Sequence, residues 1–178
     1  QFFIAALGCP KNLVESELIS GIFLAAVDSI CFDPDDADVY IINTCAFIES
    51  AKKEAIDNIL DIAWLKENRS LKAIIVTGCL VERYHQQILD ELPEVDAVLG
   101  VGSIHDIVEA LEAVMDASRT EKYVSVKDHN CVQLGGDRVL TTPEYMAYIK
   151  IAEGCDNRCA YCAIPGIRGK FRSRPMED

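Results

Sequence analysis

Residues 39–45 read Val-Tyr-Ile-Ile-Asn-Thr-Cys, an apolar run that ends in a cysteine, and this pattern recurs along the chain. Four apolar runs, at 2–7, 39–42, 73–77 and 97–99, are typical of strands buried in a parallel sheet. A helical pattern follows each run, at 13–26, 49–66, 81–91 and 104–117, and Ser103 is expected to cap the last helix. Because strands and helices alternate, the sequence predicts an α/β domain over residues 1–118 with a doubly wound parallel sheet.

The rest of the chain divides into two further segments. Residues 119–143 alternate at Tyr123, Val124 and Val126 and contain a Gly-Gly-Asp turn at 135–137, which predicts a hairpin or linker. Residues 145–151 are predicted to form a strand that leads into a cysteine-rich loop. So short a segment cannot bury a core of its own, so we expect 144–178 to be the truncated start of a second domain.

The composition favours a globular protein without a membrane segment. Of the 178 residues 50% are hydrophobic and 26% charged, which is too apolar for a disordered chain, and the longest apolar stretches are too short to span a bilayer. Acidic residues number 29 against 17 Lys and Arg; the segment 144–178 carries a net charge of +1, so the segment 1–143 carries −13. This acidic body argues against direct nucleic-acid binding by the chain and favours a basic protein partner.

Eight cysteines occur without the export signal or loop-rich pattern of a disulfide-bonded secreted domain, so we expect a cytoplasmic chain with reduced thiols. Cys155, Cys159 and Cys162 form a C-x3-C-x2-C run, and soft sulfur ligands suit zinc, copper(I) or an iron–sulfur cluster. A structural zinc site needs a fourth ligand, which the run does not supply. Packing cysteines are the other interpretation, but the loop between them is polar.

Three further cysteines follow predicted strands. Cys9, Cys45 and Cys79 each stand just after a strand and just before a helix, and their spacing along the chain is nearly equal, one strand–helix–strand repeat each. Since the carboxyl ends of parallel strands meet at one edge of a sheet, the three thiols are predicted to share a site there. Each alone would more often be a small buried hydrophobe, and this is how we interpret Cys31 and Cys131.

These motifs resemble those of a known enzyme family. The stretch 154–165, Gly-Cys-Asp-Asn-Arg-Cys-Ala-Tyr-Cys-Ala-Ile-Pro, resembles the signature of radical S-adenosylmethionine (SAM) enzymes. Residues 7–12, 43–50 and 77–79 are similar to the three cysteine motifs of the methylthiotransferase amino-terminal domain. Within that family, Pro-Lys-Asn at 10–12 resembles the branch that modifies a ribosomal small-subunit protein.

The resemblance implies a radical SAM transferase with two 4Fe-4S clusters and SAM as cofactors. Cys155, Cys159 and Cys162 would hold the cluster that binds SAM, with Tyr161 against the adenine, and Cys9, Cys45 and Cys79 the auxiliary cluster. The product would be a methylthio group on the β-carbon of an aspartate in the twelfth small-subunit protein, with an electron donor such as flavodoxin. Residues 144–178 would begin a radical SAM β/α barrel, and the 178 residues alone are expected to be inactive.

Other functions stay open at this point. A tRNA adenosine methylthiotransferase would use the same chemistry on a base. A non-catalytic iron–sulfur module would hold clusters without a radical step, and it would normally close all four iron positions with protein ligands. A nucleotide-binding module fits the sheet, but Gly8-Cys9-Pro10 stands where a glycine-rich phosphate loop would be needed.

Overall fold

The computed structural model describes residues 1–26, 29–131 and 134–177. Five parallel strands form one sheet in chain order, and an isolated parallel bridge between Phe2 and Ile30 extends its first edge. The strands are β1 (Phe2–Ala6), β2 (Val39–Thr44), β3 (Ala73–Gly78), β4 (Ala97–Leu99) and β5 (Tyr123–Ser125). Asn43 of β2 pairs with Ala6 on one side and Thr77 on the other, so the first three strands end at one level.

Helices cover both faces of this sheet, which confirms the prediction of a doubly wound α/β fold. The helices α1 (Pro10–Ala26) and α4 (Ile107–Met115) pack on one face, and α2 (Glu49–Asn68) and α3 (Cys79–Glu91) on the other. Residues of β2 and β3 point alternately into the two cores and are buried throughout, which explains why the strands are continuously apolar. No helix in the described part of the chain is long and apolar enough to cross a membrane.

The structure differs from the sequence prediction around residues 101–125. Tyr123–Ser125 pairs in parallel with β4 as an edge strand, in place of the predicted hairpin. An edge strand with one buried face shows the same alternation as a hairpin strand, so the pattern could not separate the two. The prediction that Ser103 caps a helix is wrong: Ser103 lies inside a 3₁₀ helix (Val101–Asp106), and its hydroxyl accepts a hydrogen bond from the Lys127 amide at 2.9 Å.

The segment after residue 134 packs onto the α/β domain. Its regular elements are β6 (Ala152–Glu153), which pairs antiparallel with β7 (Arg172–Ser173), and the short helix α5 (Ile164–Arg168). The strand predicted at 145–151 does not form: residues 145–149 and Ile151 are exposed, Lys150 alone is buried, and no strand among the described residues pairs with this stretch. Contacts with Glu17 fix the segment to α1: its backbone carbonyl accepts from the Val139 amide at 3.1 Å, and its carboxylate accepts from the Thr141 amide at 2.9 Å.

Candidate functional site

The cysteines that follow the first three strands line one cavity. Cys45 comes directly after β2, Cys79 directly after β3, and Cys9 three residues after β1. All three border an open cavity of about 650 Å³ at the carboxyl edge of the sheet. The structure therefore brings together the three side chains as their strand-end positions predict, with Cys45 and Cys79 buried and Cys9 exposed.

Two glycines allow the cysteine loops to approach each other closely. Gly8 and Gly78 precede Cys9 and Cys79 with φ values of +91° and +95°, a region that side chains with a Cβ rarely adopt. A Cβ on Gly8 would lie 2.4 Å from the Cβ of Cys45. The loop that carries Cys9 therefore rests directly on Cys45.

Asn12 fixes the ends of β1 and β2 from below this edge. Its fully buried amide nitrogen donates to the carbonyls of Leu7 at 2.9 Å and Thr44 at 2.8 Å. Its carbonyl oxygen accepts from Nη2 of Arg168 at 3.0 Å. A side chain of the Pro-Lys-Asn motif thus holds the backbone next to Cys45 in place.

Helix α5 forms the far wall of the cavity through Ile164, Ile167 and Arg168. Arg168 is the first of four cations in the run 168–174, a pattern typical of a solvated surface, but the structure buries it to 1% exposure. Its Nη2 lies 3.1 Å from Sγ of Cys79. The burial of Arg168 could not be predicted from the sequence, because neither the composition nor the spacing of the run distinguishes it from its exposed neighbour Lys170.

Arg168 belongs to a cluster of charges, the rim network, that sequence analysis did not find. Nη1 of Arg168 pairs with Glu15, and Lys150 lies 3.1 Å from Glu15 and 2.7 Å from Glu153. The half-exposed Lys11 also pairs with Glu153 at 2.7 Å. Burial alone would raise the pKa of Glu153, but Arg168 and Lys150 outweigh it and lower that pKa to about 2.

The same balance between burial and nearby charge sets the pKa of Glu15 in the rim network and of Cys79 in the cavity wall. Burial opposes the charge of Glu15, but Arg168 and Lys150 hold its pKa below the ordinary value. For Cys79 burial prevails and raises the pKa of the thiol, although Arg168 acts in the opposite direction. The carboxylates of Glu15 and Glu153 are therefore ionised at neutral pH, while the free thiol of Cys79 stays protonated.

The second cysteine group lies in the loop between β6 and α5. Cys155 and Cys162 are partly buried and Cys159 is exposed. The Cys155 amide donates to the Gly169 carbonyl at 3.0 Å, and the Cys162 amide donates to the Cys159 carbonyl at 3.0 Å, so the loop is a closed turn. The ring of Tyr161 is 89% exposed, and its role against an adenine stays a prediction.

The two remaining cysteines lie outside these groups where the structure describes them. Cys31 is half-buried, and its thiol donates to the Phe2 carbonyl at 3.3 Å, which fits a packing residue. The side chain of Cys131 lies outside the described part of the chain.

The strand-end donor set consists of three cysteine thiols, the ligand type that iron–sulfur clusters take. Among the described residues, no three Cys, His, Asp or Glu side chains converge closely enough to hold one metal ion. Three thiols that line one cavity could each bind a different iron of such a cluster, since cysteine thiolates hold iron–sulfur clusters. The residues present therefore fit a cluster, although their roles as ligands stay a prediction.

A doubly wound sheet with thiols gathered at its carboxyl edge places the chain among the α/β proteins, a class whose ligand sites commonly lie at the strand ends. The chain belongs to the family described as "Uncharacterized protein family UPF0004", whose model matches residues 1–100.

Curated relatives extend this similarity to residues beyond the family model. Three relatives bear the name "Ribosomal protein uS12 methylthiotransferase RimO": those of Desulforamulus reducens, Acetivibrio thermocellus and Clostridioides difficile are 51%, 49% and 47% identical. Each alignment covers 98% of this chain but only 39%, 40% and 39% of the relative. The resemblance to methylthiotransferases is thus confirmed, and the chain spans about two fifths of the length of the curated relatives it matches.

Proposed function

We propose that the protein containing this chain is a radical SAM methylthiotransferase that acts on ribosomal protein uS12. One observation carries the proposal: the three strand-end cysteines share a cavity with α5, and α5 begins two residues after Cys162. The chain thus supports two cysteine groups on neighbouring elements, as a reaction with two clusters requires. The names of the relatives and their identity over this chain support the same activity.

In this proposal each cysteine group holds one 4Fe-4S cluster. Cys155, Cys159 and Cys162 would bind the cluster that takes SAM, and the strand-end cysteines would bind the auxiliary one. When bound, the clusters and SAM would supply the electron, the radical and the transferred sulfur. Residues 144–178 are accordingly proposed to begin the radical SAM domain.

The chain's own residues prepare the site. Ile167, only 1% exposed, and Ile164 form an apolar wall on one side of the cavity that holds the strand-end thiols. Phe47 and Ile48 also line the cavity, at 44% and 56% exposure, so an incoming group can reach it from solution. Cys159 is exposed, so the second group is accessible to a cofactor from solution.

The proposed substrate is a protein rather than an RNA. The segment 1–143 carries a net charge of −13, which attracts a basic ribosomal protein and repels a nucleic acid. An electron donor such as flavodoxin and a cytoplasmic location, where thiols stay reduced, complete the proposal.

Iron and sulfide counts after anaerobic reconstitution test the two clusters. We expect about eight irons per chain for the parent and about four for the Cys9/Cys45/Cys79 triple Ala variant. Cys31→Ala, which changes a cysteine outside the cavity, is the control and should leave the count unchanged. A parent count near four that the triple substitution does not lower would contradict the proposal.

The substrate is tested with the full-length protein, reductant and SAM. Mass spectrometry should detect a methylthio group on uS12 and none on tRNA. Modification of tRNA alone would refute the substrate while leaving the chemistry intact.

A further inference from the structure

Arg168 is the largest fully buried side chain among the described residues, and it reaches the cysteine edge from a distant part of the chain. It lies 89 residues from Cys79 and 153 residues from Glu15, yet it contacts both. Contacts over such distances do not follow from local structure. They require the segment that carries α5 to dock on the α/β domain in one defined position.

The planar guanidinium group makes contacts that a lysine ammonium could not all reproduce. Nη1 pairs with Glu15, while Nη2 donates to the Asn12 carbonyl oxygen at 3.0 Å and to the Cys79 sulfur at 3.1 Å. Arginine presents its donors in a fixed fork, whereas lysine is a single point charge on a flexible stem. The contacts with the Glu15 carboxylate and the Asn12 amide therefore set the direction in which Nη2 points towards the Cys79 sulfur.

The buried charges of the rim network are balanced without Cys79. Two carboxylates, Glu15 and Glu153, face two buried cations, Lys150 and Arg168, while the third cation, Lys11, is half-exposed. The sulfur of Cys79 lies against Arg168, so a metal-bound thiolate at this position would add a negative charge next to a donor that already faces it.

We propose that Arg168 is a positioning residue for the auxiliary cluster, an inference that rests on the proposed function. It donates an N–H···S hydrogen bond that orients the Cys79 thiolate, and its charge raises the reduction potential of the cluster. Reduction adds negative charge to a cluster, and a nearby cation with a hydrogen bond to a ligand sulfur stabilises that more negative form.

The test measures the reduction potential of the auxiliary cluster alone. Cys155, Cys159 and Cys162 are replaced by Ala in the full-length protein, so that the remaining iron reports only the strand-end site. Arg168→Lys keeps the charge but loses the fork, and Lys170→Arg, at an exposed position two residues away and outside the rim network, is the matched control. A redox titration followed by electron paramagnetic resonance gives both the potential and the spectrum of the reduced cluster.

We expect Arg168→Lys to lower the equilibrium constant for one-electron reduction about tenfold, or about 59 mV, and to change the spectrum. Lys170→Arg should leave the equilibrium constant unchanged within twofold and should not change the spectrum. Arg168→Met, which also removes the charge, should lower the potential further. If the strand-end site holds iron and its potential is equal in the parent and in both Arg168 variants, the role of Arg168 is overturned but the proposed function is not. If the parent holds no iron at this site, the proposed function is overturned as well.

Discussion

Glu15→Gln removes one negative charge from the rim network with little change in shape. Glu15 is 1% exposed and pairs with both Lys150 and Arg168. The variant leaves these two buried cations with Glu153 as their remaining buried counter-ion. Removing one partner of a buried pair costs about 3–5 kcal/mol, and because Gln still accepts a hydrogen bond we expect about 3 kcal/mol.

The pH dependence of this loss provides the sharper test. Arg168 and Lys150 hold the pKa of Glu15 below its ordinary value of 4.5, so the carboxylate stabilises the fold above that pH. This stabilisation is lost as the pH falls from 4.5 towards the lowered pKa in the folded state. The difference in unfolding free energy between parent and variant should therefore be constant from pH 7 to 5 and shrink below 4.5.

Urea denaturation of the 178-residue chain at several pH values measures this difference. Glu67→Gln, at an exposed position of α2, is the control and should change the unfolding free energy by less than about 0.5 kcal/mol. A Glu15→Gln difference that grows as the pH falls, or that is absent at pH 7, would refute the argument that this carboxylate is charged and paired.

Three further predictions follow from the geometry. Gly78→Ala places a Cβ at a φ of +95°, 2.4 Å from Oδ1 of Asn43, and should lower the unfolding free energy by about 1–3 kcal/mol in urea denaturation. The control is Gly166→Ala, where nothing lies within 4 Å of the new Cβ, and it should have little effect. In the metal-free chain, iodoacetamide followed by mass spectrometry should modify exposed Cys159 before Cys79, whose burial raises its pKa, and equal rates would contradict the burial. Phe23→Ala, at a position of α1 that is fully buried against the sheet, should cost about 3–5 kcal/mol by thermal and urea unfolding, and a loss below about 1 kcal/mol would show that the site is not packed as described.

The sheet and its cysteine edge could be predicted from the sequence because both depend on local order. Apolar runs and helical patterns alternate along the chain, and a parallel sheet places the residue after each strand at the same edge. Cys9, Cys45 and Cys79 follow from that rule. The edge strand Tyr123–Ser125 did not, since its alternation is equally compatible with a hairpin and only the pairing with β4 decides.

The rim network could not be predicted because burial of a charge depends on distant partners. Glu15 and Lys150 are 135 residues apart in the chain, and Glu15 and Arg168 are 153 apart. A Glu in a largely apolar helix, or one Arg in a run of cations, carries no sign of such pairing. The sequence therefore located the thiols but not the side chains that position them.

The long separation of these pairs also affects how the protein is made. All three strand-end cysteines leave the ribosome well before Arg168, because α4, β5 and the whole segment up to α5 lie between Cys79 and that arginine. The sheet can pair its strands during this interval. Until Lys150 and Arg168 are synthesised, however, Glu15 has neither of its cationic partners, and the cavity lacks the wall that α5 forms. The cysteine edge is thus completed late in synthesis, and a nascent chain that has folded its first domain still exposes thiols to any metal or oxidant it meets.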